Sequence, residues 1–341
     1  MSLTVWCVTD GKPGMQNQCV GLAEALGAIP AIKHVRLRAP WRQLFPHVLR
    51  WGCGYAMTAD SDPIEPPWPD VLIASGRHSV AASLLVGQRN PATFRVQIQS
   101  PGLPASLFDL LVVPRHDRLR GANVLVSQGA LHRVTPQRLA ADAERWRPSL
   151  EWLPTPRVAV LIGGSNGSYR LTPSAAAELG DSLVRMARRQ NLGLMVTASR
   201  RTDPQALDQL RQRLDRPDVP AVFWDGTGDN PYFAYLGLAD AVIVTADSVS
   251  MTSEACATGK PVHVVHLEGG SKKFEAFHQS LVRDGITRPF QGTLEHWSYP
   301  PLDDTARAAE WIQAARKDAN AIKFVTERGE TPPPPRPWTA R

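Results

Sequence analysis

The sequence predicts an α/β protein built from two doubly wound domains, each a parallel sheet covered by helices. Three observations predict it. Short β-branched apolar runs alternate with capped or amphipathic helical runs, the pattern of a parallel sheet. The alternation restarts after a Trp- and Pro-rich stretch near residue 150. At 341 residues the chain is long for one core and ample for two.

In order, residues 3–8 form an apolar strand, followed by D-G-K-P-G-M-Q-N-Q and a helical run over about 16–26. A Pro-rich loop ends at Pro69, residues 71–74 make a strand, and S-G-R-H-S leads into a helix over 80–86. Strands at 94–98 and 110–113 end in Q-S-P and P-R-H-D, and 124–126 is a further strand. Residues 140–156 read as a helix passing into a linker. The second series opens with a strand at 157–162, the loop G-G-S-N-G-S-Y, and a helix over 173–189 with Pro173 in its first turn. Strands at 192–197 and 221–224 bracket a helix at 204–214. Residues 241–245 are a β-branched strand, a helix starts near 250, Gly259 suits its C′ position, and Pro261 forbids continuation. A strand at 262–265 follows. Residues 304–317 form an amphipathic helix with Ala308, Trp311, Ile312 and Ala315 on one face. The expected organisation is a first domain at 1–150, a second at 157–302, a closing helix at 303–324 and a Pro-rich tail at 325–341.

Composition narrows the function classes. The 38 Lys and Arg exceed the 32 Asp and Glu, giving +6, but the excess is spread along the chain. It suits an anionic substrate or membrane surface and does not call for nucleic acid. No apolar run approaches a membrane span, and the N-terminus enters a strand directly, so neither signal nor transit peptide is expected. Cys7, Cys19, Cys53 and Cys256 show no C-x-x-C spacing, which suits buried thiols in the cytoplasm. The nearest approach to D-x-D is Asp60–Asp62 in a Pro-rich loop, so no metal and no resident cofactor are expected.

The segment 240–265 carries the strongest chemical signal. A strand, a polar loop and a helix aim the helix N-terminus at the carboxyl edge of the sheet, where it attracts anions. Ser248, Ser250, Thr252 and Ser253 surround that end, and Glu254 follows. There a carboxylate could accept from two ribose hydroxyls while backbone amides hold a phosphate. The alternative is a capping acid, although a capping box would need Ser or Thr where Met251 stands.

Gly163, Gly164, Ser165, Asn166 and Gly167 read as a phosphate-cradling turn, a G-x-S-x-G nucleophile elbow, or a plain loop. An elbow needs its helix immediately after the serine, and here several residues intervene before Pro173. No G-x-G-x-x-G or G-K-[ST] follows a strand. Asp10 is a candidate general base if burial raises its pKa, or an Asp that organises its own turn. His78, beside Arg77, is a candidate base or ligand, or a capping histidine. Arg115-His116-Asp117 could bind an anionic acceptor or simply be exposed charge, and Lys272 and Lys273, after Gly269 and Gly270, could close over a diphosphate or belong to a solvated turn. Residues 36–57 mix Trp41, Phe45, Trp51 and Tyr55 with Arg36, Arg38, Arg42 and Arg50. That stretch either rests on an anionic membrane or covers a core.

These motifs together resemble the bacterial relatives of the plant elongated-mitochondria fission factor. The resemblance runs from D-G-K-P-G-M-Q-N-Q through S-G-R-H-S, I-G-G-S-N-G and T-A-D-S-V-S-M-T-S-E-A-C-A-T-G-K-P-V to K-F-E-A-F-H-Q-S-L, G-I-T-R-P-F and W-S-Y-P-P-L-D-D-T. More distantly the chain is similar to GT-B glycosyltransferases, including the peptidoglycan GlcNAc transferase. That implies two Rossmann-like domains facing a cleft, the first binding the acceptor and the second the sugar nucleotide. By position, Glu254 would bind the ribose, Ser248, Ser250, Met251 and Ser253 would surround the phosphates, and residues 163–167 would face the donor. Gly11, Lys12, Gly14, Gln16, Asn17 and Arg77 would lie on the acceptor side, with Asp10 in the place of a base. The peptidoglycan enzyme has a Gly-rich loop with His there, which this chain lacks.

The implied activity is metal-independent transfer from a nucleotide sugar to a lipid-linked or envelope acceptor, in the cytoplasm or peripherally at the inner membrane. Plant members are described as recruiting a fission dynamin, which implies instead a membrane-surface adaptor touching anionic lipid through residues 36–57. A sugar-nucleotide epimerase is a further alternative on the same fold, and a hydrolase using Ser165 runs behind these.

Overall fold

A computed structural model describes residues 2–44, 53–224 and 226–327, with only the backbone course over 318–327. The chain divides into two compact units, Met1–Arg133 with Asp303–Arg341, and Val134–Leu302.

The first unit contains β1 (Val5–Thr9), α1 (Pro13–Ala25), β2 (Ala31–His34), the short α2 (Trp41–Leu44), β3 (Val71–Ser75), α3 (Ser79–Arg89), β4 (Phe94–Ile98), β5 (Leu110–Pro114) and β6 (Val124–Ser127). Its sheet runs β2-β1-β3-β4-β5-β6, all parallel. β1 and β3 are buried at every position, which is why they read as unbroken apolar runs. Side chains alternate across the sheet. Cys7 and Ile73 pack on one face with Leu22, Ala308 and Ile312. Val8, Leu72 and Ala74 pack on the other with Ala82 and Val86 of α3.

The second unit contains α4 (Pro136–Leu150), β7 (Arg157–Ile162), β8 (Tyr169–Arg170), α5 (Pro173–Gln190), β9 (Gly193–Ala198), α6 (Pro204–Leu214) and β10 (Ala221–Phe223). It continues with α7 (Tyr232–Leu238), β11 (Ala241–Thr245), α8 (Val249–Cys256), β12 (Val262–Val265), β13 (Glu268–Gly269), α9 (Lys272–Arg283) and β14 (Thr287–Pro289). Its parallel sheet runs β10-β9-β7-β11-β12-β14. Val158, Val160 and Ile162 meet α5 and α6, while Ala159 and Leu161 meet Leu236, Ala255 and Phe277 on the opposite face. Strand order reverses between β1 and β3 in the first sheet and between β7 and β11 in the second. Such reversals open a crevice at the carboxyl ends of the strands.

The structure moves several expected boundaries. The units divide at 133/134 rather than near 150, because Val134, Leu150 and Leu153 join the second core. The closing helix, α10 (Asp304–Glu327), belongs to the first unit. There the Asp304 carboxylate accepts the Gln128 and Gly129 amides at 2.8 Å each, and the Thr305 hydroxyl accepts the His132 amide at 3.0 Å. α10 also carries residues 325–327, expected in the tail, while 328–341 lie outside the described residues. α1 starts at Pro13, three residues before the expected start near Gln16, so Gly14 stands in the helix with Gln16 and Asn17.

Within residues 36–57, Phe45, Arg50 and Trp51 lie outside the described residues. Of the rest, Leu37, Cys53 and Ala56 are buried, with Trp41 and Met57 packed against them. Those positions cover the core of the first unit. The four cysteines are buried and unbonded to one another. Among the described residues no helix is long and apolar enough to cross a membrane.

Candidate functional site

The second unit's crevice is built where the loops after β7, β9 and β11 converge. The Thr245 hydroxyl, at the end of β11, accepts the Gly163 amide at 2.7 Å and donates to Asp247 Oδ1 at 2.7 Å. Asp247 Oδ2 accepts the Gly164 amide at 2.9 Å, and the Asn166 side-chain amide donates to the Asp247 carbonyl at 3.0 Å. Both glycines are required by close approach. A Cβ on Gly163 would sit 2.0 Å from Asp247 Oδ1, and one on Gly164 would sit 2.2 Å from the Arg201 carbonyl oxygen. Burial pushes the Asp247 carboxyl up, against the pull of the Gly164 amide, the Thr245 hydroxyl and the Arg201 guanidinium. The phosphate-cradling reading of Gly163 and Gly164 therefore changes: their amides already hold an internal carboxylate and hydroxyl.

Ser165 stabilises the same loop, its Oγ accepting the Leu171 amide at 3.2 Å. Asn166 Oδ1 accepts the Ser168 and Tyr169 amides at 2.7 and 2.9 Å. α5 begins only at Pro173, so the strand–turn–helix geometry of a nucleophile elbow is absent here.

Glu254 lies in the second turn of α8, beyond reach of a capping role, and is 7% exposed. The cap is Ser248, whose Oγ accepts the Met251 amide at 3.2 Å. Ser253 donates its hydroxyl to the Val249 carbonyl at 2.8 Å, within the helix, while Ser250 stays half-buried on the first turn. The Tyr232 phenol donates to Glu254 Oε2 at 2.6 Å. Burial, then the Glu254 charge and this hydrogen bond, push the phenol far above its ordinary pKa, so the proton stays on the tyrosine. Beneath the loop, the buried His278 ring lies 2.8 Å from the Ala246 carbonyl through Nε2, and burial pushes its pKa down. A neutral imidazole donating from Nε2 fits both facts.

Lys272 and Lys273 are exposed on the first turn of α9, capped by Ser271. Their segment is tied to the loop after β7. β13 pairs with β8, the Gly270 amide donates to the Ser168 carbonyl at 2.6 Å, and the Phe274 and Tyr169 rings meet edge-on at 5.2 Å.

In the first unit, Asp10, Lys12 and His78 gather at the carboxyl edge where β1 and β3 part. Lys12 Nζ lies 2.6 Å from Asp10 Oδ2, and its amide 3.3 Å from Oδ1. Burial pushes Asp10 up, but the Lys12 hydrogen bonds and charge outweigh it and hold the carboxyl below its ordinary range. That corrects the expectation of a raised, basic Asp10: here it organises its turn around Gly11, whose φ of +84° is left-handed. His78 Nδ1 accepts the Leu37 amide at 2.9 Å, and burial lowers its pKa despite Asp10 nearby. The ring is thus a neutral donor through Nε2, not a base. Gln16 Oε1 and His34 Nε2 lie 3.1 Å apart, and Arg77 donates to the Arg42 carbonyl. Asn17 is exposed on α1. In Arg115-His116-Asp117, His116 Nε2 and Asp117 Oδ1 lie 3.4 Å apart.

Sequence reasoning missed Asp247, Arg201, Tyr232 and His278. Asp247 had a findable signal, an acid two residues past a buried strand at the reversal point. Tyr232 had none, since its partner lies 22 residues away.

A UDP-N-acetylglucosamine 2-epimerase structure from Listeria monocytogenes superposes with a TM-score of 0.60 at 13% identity, covering 94% of this chain and 97% of that one. The UDP-GlcNAc 2-epimerase of Methanocaldococcus jannaschii gives 0.53 at 10% identity, covering 92% and 100%. The fold is thus the GT-B-like pair of Rossmann-like domains. In sequence, the mitochondrial fission protein ELM1 of Arabidopsis thaliana is 30% identical over 384 residues, covering 90% of this chain and 89% of that protein. An uncharacterized protein of Rickettsia prowazekii (strain Madrid E) is 26% identical over 361 residues, covering 92% and 99%. The family pattern described as Mitochondrial fission ELM1 matches residues 13–315. With that span and those relatives, the chain belongs to the mitochondrial fission ELM1 family.

Proposed function

We propose that the second unit binds a nucleoside-diphosphate sugar and that the protein transfers the sugar, without metal, to a lipid-linked or envelope acceptor. One observation carries the reading: Glu254, a buried carboxylate on the helix that follows the reversal point, oriented by the Tyr232 phenol at 2.6 Å. A fixed carboxylate there is suited to accept from the two vicinal hydroxyls of a ribose. Glu254 is six residues from the Ser248 cap, roughly 9 Å along a helix. That leaves the positive end of α8 for the diphosphate. Lys272 and Lys273 would offset charge as the sugar–oxygen bond breaks and the nucleoside diphosphate departs. The acceptor oxygen takes the sugar and gives up a proton. Asp10 is engaged by Lys12 and His78 Nδ1 by the Leu37 amide, so no residue is assigned that proton. Lys12 and Arg77 on the first unit's edge suit a charged acceptor group. A fold neighbour, the Methanocaldococcus epimerase, was solved with UDP-GlcNAc and UDP. The proposed setting is the cytoplasmic periphery of the inner membrane.

A membrane-surface adaptor role is favoured by a different observation. Leu44 and Tyr55, 51% and 73% exposed, stand with Arg36, Arg38 and Arg42 on one short stretch of the first unit. Such a mixture suits anionic lipid. One experiment separates the readings: incubation with labelled UDP-, GDP-, CMP- and ADP-sugars, in chelator, with and without lipid-linked acceptors. Acceptor-dependent nucleotide release supports transfer. Conversion of the donor without acceptor makes the protein an epimerase, and neither reaction favours the adaptor.

A further inference from the structure

We propose that Arg201 is the residue that meets the diphosphate in the second unit, with Asp247 beneath it as a positioning residue; this rests on the nucleotide-sugar reading above. The Gly163 and Gly164 amides cannot serve a phosphate while Thr245 and Asp247 hold them. An anion approaching this edge also meets the Asp247 charge, and a cation must stand between them. Arg201 stands there. Its Nη2 lies 3.4 Å from Asp247 Oδ2, and its side chain is 51% exposed where that of Asp247 is wholly buried. A guanidinium carries five N–H donors in a planar fork. At 3.4 Å the contact with Asp247 is longer than a saturated charge-assisted bond, so it orients the fork and leaves donors facing solvent.

The backbone beneath is fixed as firmly as a loop allows. The Arg201 amide donates to Ser199 Oγ at 3.2 Å, the Arg201 carbonyl packs against Gly164, and the Thr202 hydroxyl donates to the Gly163 carbonyl. The Ser199 and Thr202 hydroxyls meet at 3.2 Å. Three loops thereby share one buried network from which the Arg201 cation projects, positioned in advance, which lowers the ordering cost of binding. Two phosphate oxygens are the acceptors such a fork matches.

The test is calorimetry of the full chain with UDP, uridine and inorganic pyrophosphate, for the wild type, Arg201→Ala and Arg201→Lys. Thermal melts confirm that each variant is folded. Arg201→Ala is expected to weaken UDP and pyrophosphate at least about tenfold and to leave uridine unchanged, with Arg201→Lys between. Equal UDP binding by the wild type and Arg201→Ala overturns the assignment and leaves the nucleotide reading standing. Pyrophosphate binding that Arg201→Ala loses, without added affinity for UDP, supports the anion subsite and removes the nucleoside. No binding of either probe by the wild type overturns both.

Discussion

The Tyr232 hydroxyl donates to the Glu254 carboxylate at 2.6 Å, joining the helix before β11 to the helix after it. The bond helps fix the rotamer of a buried acid. Tyr232→Phe removes the donor and keeps the ring. It is expected to cost about 1–2 kcal/mol in denaturant unfolding and to weaken nucleotide binding severalfold. Unchanged values of both would mean the phenol does not hold the acid.

The glycines of the loop after β7 are not equivalent. A Cβ at Gly163 collides with Asp247, whereas one at Gly167 meets nothing within 4 Å. Gly163→Ala is expected to lower stability by about 2–4 kcal/mol and Gly167→Ala by less than about 0.5. Ser165→Ala, which strips the acceptor from the Leu171 amide, falls between at about 1 kcal/mol. Paired urea melts check the order, and equal losses would contradict the geometry.

Asp247 makes stability pH-dependent with a definite sign. Its folded pKa lies above the ordinary carboxylate value because burial opposes its charge. Its contribution is then fully present below the unfolded pKa and declines as pH rises through the folded one. The stability of the wild type relative to Asp247→Asn should fall as pH rises above the ordinary carboxylate value of about 3.9. A difference that stays flat or rises would show the pKa is not raised.

For His78 the sign is reversed. Burial depresses its pKa below the usual value near 6.5, so its contribution is present above that pH and lost as pH falls through the folded value. Nitrogen-15 NMR should find the Nε2–H tautomer, with the Leu37 amide on Nδ1 and a midpoint below 6.5. A midpoint above 6.5, or a protonated Nδ1, would restore the ring as a base.

Much of the fold was legible because its central strands are buried on both faces. β1, β3 and β11 are buried at every position, so their sequences are continuous apolar runs. β2 was missed because it lies at an edge and is largely exposed, and α7 because it spans seven residues after Pro231. The unit boundary was misplaced because the apolar face of α4 shows in sequence but its partner, α7, does not. In the site, Glu254 was visible from its place after a strand and a serine-rich turn. Asp247 was not valued, because only the folded loops bring it against Gly163 and Gly164. Asp10 was overvalued because its state depends on where the Lys12 side chain turns.

The central claim is that the second unit binds a nucleotide through Glu254. Calorimetric titration of the protein with UDP, GDP, CMP and ADP, in chelator, beside the Glu254→Ala variant, tests it most directly. Micromolar binding of one nucleotide, lost in the variant, is the predicted result and would identify the donor class. No binding by any of the four, or equal binding by the variant, would contradict the account.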